Sequence, residues 1–312
     1  MVTNMLKAHL DFNKLINSSG ETYSPRSMAL MTRAIFFTFA ILLFPQNTFA
    51  KKQFQLKIAV LDTGFCPGLL STHPKITVES VADVTQSNNY KCNESTLKGM
   101  RFHGQDVLEV FIHNYPSNKE TPTLLVTPVV IFNKNALQKV SYWNQALELV
   151  KEHDIIISAT GLPLPKDPIQ AKNLLKKAKL PKPLTILASG RIAPGIDKKT
   201  KLFPQEFYFQ ENIVLLGSYY QPLFESSLAQ RDEGLLYQKE ISLLFPSSGK
   251  KIPKLKGASR ALASGSAKLI SRCGVFIKKS SLSLFQKCIE KSAKSLKFKK
   301  PINSMKSSKT LF

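Results

Sequence analysis

The chain has 312 residues, with 44 Lys plus Arg against 21 Asp plus Glu and a formal net charge of +23. Its hydrophobic fraction of 43% and mean hydropathy of -0.10 exclude a wholly disordered chain and a polytopic membrane protein. So positive a charge predicts contact with something anionic, such as nucleic acid, phospholipid or a wall polymer, through an attraction that added salt would screen. The single Trp and modest aromatic content offer no base-stacking platform, so no specific nucleic acid is expected as partner.

Residues 34–44 read Ala-Ile-Phe-Phe-Thr-Phe-Ala-Ile-Leu-Leu-Phe. The run is too short for a spanning helix, which needs about 20 apolar residues. Arg26 and Arg33 precede it, and Thr48 and Ala50 form the small pair at an exit followed by Lys51 and Lys52. This pattern predicts a secretory signal peptide within an N-terminal extension, residues 1–50, with Met28 or Met31 as an alternative start. The mature protein is then secreted or periplasmic. All four cysteines, Cys66, Cys92, Cys273 and Cys288, follow that point. An even count in an exported chain predicts two disulfides. Three pairings are possible, and the simplest joins sequence neighbours, Cys66 with Cys92 and Cys273 with Cys288. Their spacing matches no zinc pattern, and no Asp/Asn-rich loop marks a calcium site.

Residues 57–61 (Lys-Ile-Ala-Val-Leu) predict a buried strand ending at Asp62-Thr63-Gly64. Residues 124–132 predict a second. Trp143, Ala146, Leu147 and Val150 then recur at helical spacing. Residues 154–158 (Asp-Ile-Ile-Ile-Ser), 184–188 and 212–217 predict three more strands, and residues 259–273 a buried helix. Continuous apolar strands alternating with helices predict an α/β fold, with a mostly parallel central sheet and helices on both faces. Function in such sheets sits at the carboxyl ends of the strands. The main domain spans residues 51–277. Beyond it, 278–312 form a Lys/Ser-rich basic tail in which Glu290 is the single acid, and residues 281–300 could form a basic amphipathic helix within it.

Asp62 directly follows the first strand, His103 lies in Phe102-His103-Gly104-Gln105-Asp106-Val107, and Ser259 opens the apolar helix in Gly257-Ala258-Ser259-Arg260-Ala261. A carboxylate, an imidazole and a hydroxyl are the parts of a nucleophilic triad. The imidazole takes the hydroxyl proton, and the carboxylate fixes the imidazole tautomer. At a helix N-terminus the Ser259 N–H is free to bond a developing oxyanion.

The three motifs in this order resemble the subtilisin-like serine protease family, whose patterns are Asp-Thr/Ser-Gly, His-Gly-Thr-x-Val-Ala-Gly and Gly-Thr-Ser-Met-Ala-x-Pro. Asp62-Thr63-Gly64 matches throughout. His103, Gly104 and Val107 match the second, with Gln105 in place of Thr. Gly257, Ser259 and Ala261 match the third, with Ala258, Arg260 and Ala263 in place of Thr, Met and Pro. The resemblance spans roughly residues 55 to 275. It implies that Ser158, Ala159, Thr160 and Gly161 line a first substrate pocket, and that Ala188, Ser189 and Gly190 form its other wall. It also implies a second oxyanion donor after Gly190, where the family has Asn and this chain has Arg191.

The function so implied is exported serine endopeptidase, with Asp62, His103 and Ser259 as triad, a polypeptide substrate and no cofactor. The alternative is a binding protein on the same fold, its catalysis weakened by Arg191 and its cationic surface holding an anionic cell-envelope partner. No Gly-x-Ser-x-Gly elbow and no Gly-x4-Gly-Lys-Ser/Thr phosphate loop occur. The sequence leaves the oligomeric state open.

Overall fold

A computed structural model describes residues 54–86, 102–133, 137–193, 196–220, 230–231, 235–237, 240–249, 254–278, 281–295 and 309–311, all within the unit Gln53–Phe312. The expected signal peptide and Cys92 lie outside the described residues.

The chain opens with β1 (Gln55–Asp62), followed by the short β2 (Ile76–Val78) and β3 (Ala82–Asp83). Helix α1 (His103–Asn114), β4 (Thr123–Val130), α2 (Val140–Leu149) and β5 (Ile155–Ser158) come next. Then follow β6 (Leu162–Pro163), α3 (Pro168–Lys177), β7 (Leu184–Ala188), β8 (Leu202–Phe203) and β9 (Ile213–Tyr220). The described part closes with β10 (Gln230–Arg231), β11 (Leu243–Pro246), α4 (Gly257–Lys278), α5 (Leu282–Ser292), β12 (Ala293–Ser295) and β13 (Lys309–Leu311).

The main sheet runs β12-β13-β11-β9-β7-β5-β1-β4-β2. Every pair from β13 to β2 is parallel. β12 is antiparallel to β13, and β10 is antiparallel to β9. The five strands expected from apolar runs are all present, β1, β4, β5, β7 and β9. They read as unbroken apolar runs because both faces are covered. Ile58 and Val60 face one core cluster with Val107, Phe111, Ala261 and Leu269 of α1 and α4. Ala59 and Leu61 face the other, with Trp143, Ala146 and Leu147 of α2. Alternation along one strand therefore feeds two cores.

The expected tail does not begin as a separate segment at residue 278. Helix α5 packs on α4, with Phe285 and Ile289 buried in the first core cluster. Cys288 is disulfide-bonded to Cys273. Burial of those two side chains explains why an otherwise Lys-rich helix is held. It ends at Ser292, short of residue 300. Cys66 is also disulfide-bonded.

The order of strands creates one switch point. β1 lies between β4 and β5. The chain leaves β1 toward α1 on one face, and leaves β5 toward α3 on the other. The connections diverge there, and the carboxyl ends of strands at such a point are the place where open α/β sheets bind ligands.

Candidate active site

Asp62 ends β1 at that switch point. Ile58 and Val60 point toward α1 and α4, and Asp62 continues the same face two residues on. His103 is the first residue of α1. Its Nδ1 lies 2.8 Å from Asp62 Oδ1 and 3.0 Å from Oδ2. The Thr63 N–H donates to Asp62 Oδ1 at 2.7 Å. The carboxylate is wholly buried, while 34% of the imidazole is exposed. A buried carboxylate is tolerable because it is paired and hydrogen-bonded. It holds the proton on Nδ1 and leaves Nε2 as the acceptor. The Asp62 charge raises the His103 pKa above its ordinary value, burial opposes it, and the hydrogen bond and Asp106 add to the rise.

The residues after His103 make this closeness possible. A side chain at Gly104 would meet Phe65 Cζ at 2.7 Å and Asp62 Cβ at 2.8 Å. The Gly104 N–H donates to Thr63 Oγ1 at 3.3 Å. Gln105, where the family pattern has Thr, accepts the Cys66 N–H on its Oε1 at 2.8 Å. Its own N–H donates to Gly64 O at 3.0 Å. The second motif thus clamps the loop that follows the first.

Ser259 is the third residue of α4, half-buried in its first turn. Gly257 opens the helix at φ 68, a conformation that favours glycine. Its N–H donates to Ser247 O at 2.8 Å. α4 packs against α1, and Lys254 Nζ meets Asp106 Oδ1 at 2.9 Å across the two N-terminal ends. Among the described residues no hydrogen bond joins Ser259 to His103. Arg260, where the family pattern has Met, is buried, and its Nη1 donates to Leu255 O at 3.2 Å.

Arg191 is exposed beside the same helix end. Its Nη2 donates to Tyr220 Oη at 2.8 Å. Its Nη1 lies 3.5 Å from where a side-chain carbon at Gly257 would stand. The guanidinium therefore borders the turn that carries Ser259.

The two expected walls are the ends of adjacent strands, since Ser158 pairs with Leu187. Ser158 and Ser189 are wholly buried, Thr160 is nearly so, and Ala159, Gly161 and Gly190 are half-buried. Ser158 Oγ and Thr160 Oγ1 are 2.9 Å apart. Gln205 joins the walls, because its Nε2 donates to Thr160 O and to Ala188 O, each at 2.9 Å. No sequence pattern points to Gln205 or to Tyr220, since both act through contacts that cross many residues. Among the described residues, no group of three His, Cys, Asp or Glu could hold a metal ion.

The fold and site define an α/β protein with a mostly parallel sheet and, at its switch point, a buried carboxylate paired with a partly exposed imidazole. The chain is similar to a solved structure described as a lanthipeptide protease, with TM-score 0.56, 12% identity, and coverage of 85% of this chain and 89% of that one. It is also similar to the prenylagaramide maturation protease PagA, with TM-score 0.50, 16% identity, and coverage of 82% of this chain and 90% of that one. At such identities the likeness establishes the fold. No protein-family model matches the sequence, and no curated protein does.

Proposed function

We propose that the chain is an exported subtilisin-like serine endopeptidase acting on polypeptides. The observation that carries this reading is the Asp62–His103 pair at the switch point, its imidazole on the helix that packs against the one bearing Ser259. Two protease structures among the fold neighbours support it. In the proposed reaction, His103 Nε2 takes the Ser259 Oγ proton as Oγ attacks the peptide carbonyl. The oxyanion is held by the Ser259 N–H and Arg191. The C–N bond breaks as His103 returns the proton to the leaving amine. Water, with His103 again as base, then frees the acid and restores Ser259. The Cys273–Cys288 disulfide fits an oxidising compartment, and pairing of Cys66 with Cys92 belongs to the same proposal. Purified wild-type protein should hydrolyse an unfolded polypeptide and Ser259→Ala should not. Equal hydrolysis by both, or none by either, contradicts the proposal.

Arg191 is the specific observation behind a second reading, a binding protein with weakened catalysis. The working-donor reading expects Arg191→Ala to lower kcat by about 10²–10³ with KM little changed, the typical loss of one oxyanion donor. If Arg191→Asn instead raises kcat by a similar factor, the natural protein is the impaired one.

A further inference from the structure

Leu202 is buried, with 2% of its surface exposed, yet it belongs to neither core cluster. Its backbone is pinned. β8 pairs with β6, setting Leu202 opposite Pro163. The Leu202 N–H donates to Tyr237 Oη at 2.6 Å, and that hydroxyl lies 2.9 Å from Glu206 Oε1. The side chain reaches back between the ends of β5 and β7. Its Cδ1 would overlap a side-chain carbon placed at Gly190, and lies 3.1 Å from one placed at Gly161. Leu236, whose N–H donates to Gly190 O at 3.3 Å, brings its Cδ1 to 3.5 Å from the same point at Gly190. The gap between the two strand ends is therefore occupied by an isobutyl group, with Gln205 spanning them through Thr160 O and Ala188 O.

We propose that Leu202 determines the specificity of the proposed protease site, restricting the substrate residue on the acyl side of the cleaved bond to a small side chain such as Ala, Ser or Gly. The inference rests on the proteolytic reading and on segments 158–161 and 188–190 being the pocket walls. Its physical basis is volume. An aromatic or long aliphatic side chain entering between Gly161 and Gly190 needs the space that Leu202 holds, and interiors packed to native density do not absorb such a group without strain. The glycines do not widen the pocket, because the room that their missing side chains leave is taken by Leu202 at Gly190 and by Leu202 and Gln205 together at Gly161.

The experiment uses the purified full chain and three serine-directed phosphonates. One is a plain fluorophosphonate without a side chain, one an aminoalkyl diphenyl phosphonate with an Ala side chain, and one the same reagent with a Phe side chain. Wild type should react with the Ala reagent at least about tenfold faster than with the Phe reagent, the scale on which pocket volume discriminates. Leu202→Ala should raise the Phe rate at least about tenfold relative to the plain fluorophosphonate rate. That last rate also reports that the variant is folded, and Leu202→Val, giving an intermediate Phe rate, is the milder control. If the plain reagent labels Ser259 but wild type takes the Phe reagent as fast as the Ala reagent, this inference fails and the catalytic reading stands. A Phe rate unmoved by both substitutions overturns it likewise. If the plain reagent labels nothing, the catalytic reading falls and takes this inference with it.

Discussion

At the scale of single residues, one ion pair organises the site. Asp62 is buried on the face of β1 that looks at α1, and His103 opens α1 with Gly104 leaving room for the approach. The sign of its pH dependence follows. The His103 pKa is raised above 6.5, first by the Asp62 charge. The stabilisation from the imidazolium is therefore fully present below the unfolded pKa of about 6.5 and is lost as pH rises through the raised folded value. Catalysis needs the neutral ring, so kcat/KM should rise with pH through that raised value. Asp62→Asn should move this ascending limb to lower pH and cut kcat by about 10³–10⁴, because the ring loses its tautomer and its counter-charge. A pH–rate profile of the two proteins checks both. An unshifted limb in Asp62→Asn would mean that Asp62 does not govern the base.

At the scale of elements, α5 is part of the core although its composition reads as a basic tail. Burial of Phe285 and Ile289 contributes roughly 1.5–3 kcal/mol each. The Cys273–Cys288 link has a sequence separation of 15, and a loop of that size gains about 3 kcal/mol in the chain-entropy model. Truncation after Ile277 should therefore lower the thermal unfolding midpoint by more than about 10 °C, since each kcal/mol shifts Tm by roughly 2–4 °C in a domain of this size. Thermal unfolding followed by circular dichroism measures it. An unchanged midpoint would return residues 278–312 to the status of a dispensable tail.

The elements also show what was legible beforehand. β1, β5 and β7 are unbroken apolar runs, and that pattern alone predicts strands covered on both faces. Trp143, Ala146, Leu147 and Val150 announce α2 by their spacing and are all buried. α1 was not legible as a helix. Its Val107, Val110, Phe111 and Ile112 favour strands, and its packing on α4 and the sheet decides the matter. α3 has no apolar signature because it buries no residue fully, although Asp167 caps it by accepting the Ile169 N–H and Pro168 begins it. In the site, Asp62 and His103 were legible because each stands in a local motif beside a recognisable element. Gln205, Tyr220 and Leu202 were not. Their contacts cross 12 to 45 residues, from Leu202 to Gly190 up to Gln205 to Thr160, and depend on how strand ends meet in space.

At the scale of the whole molecule, topology assembles the parts of the proposed site. Parallel crossovers bring the first strand, the first helix and the last long helix to one end of the sheet, although Asp62, His103 and Ser259 are far apart in sequence. Among the described residues no helix is long and apolar enough to cross a membrane. The central claim is that Ser259 is a nucleophile whose base is His103. It is tested most directly by incubating the purified full chain with a fluorophosphonate and mapping the adduct by peptide mass spectrometry. A single modified residue, Ser259, is expected, with labelling lost in His103→Ala and the fold retained. An unmodified Ser259 in folded protein, or labelling that persists undiminished without His103, would contradict it.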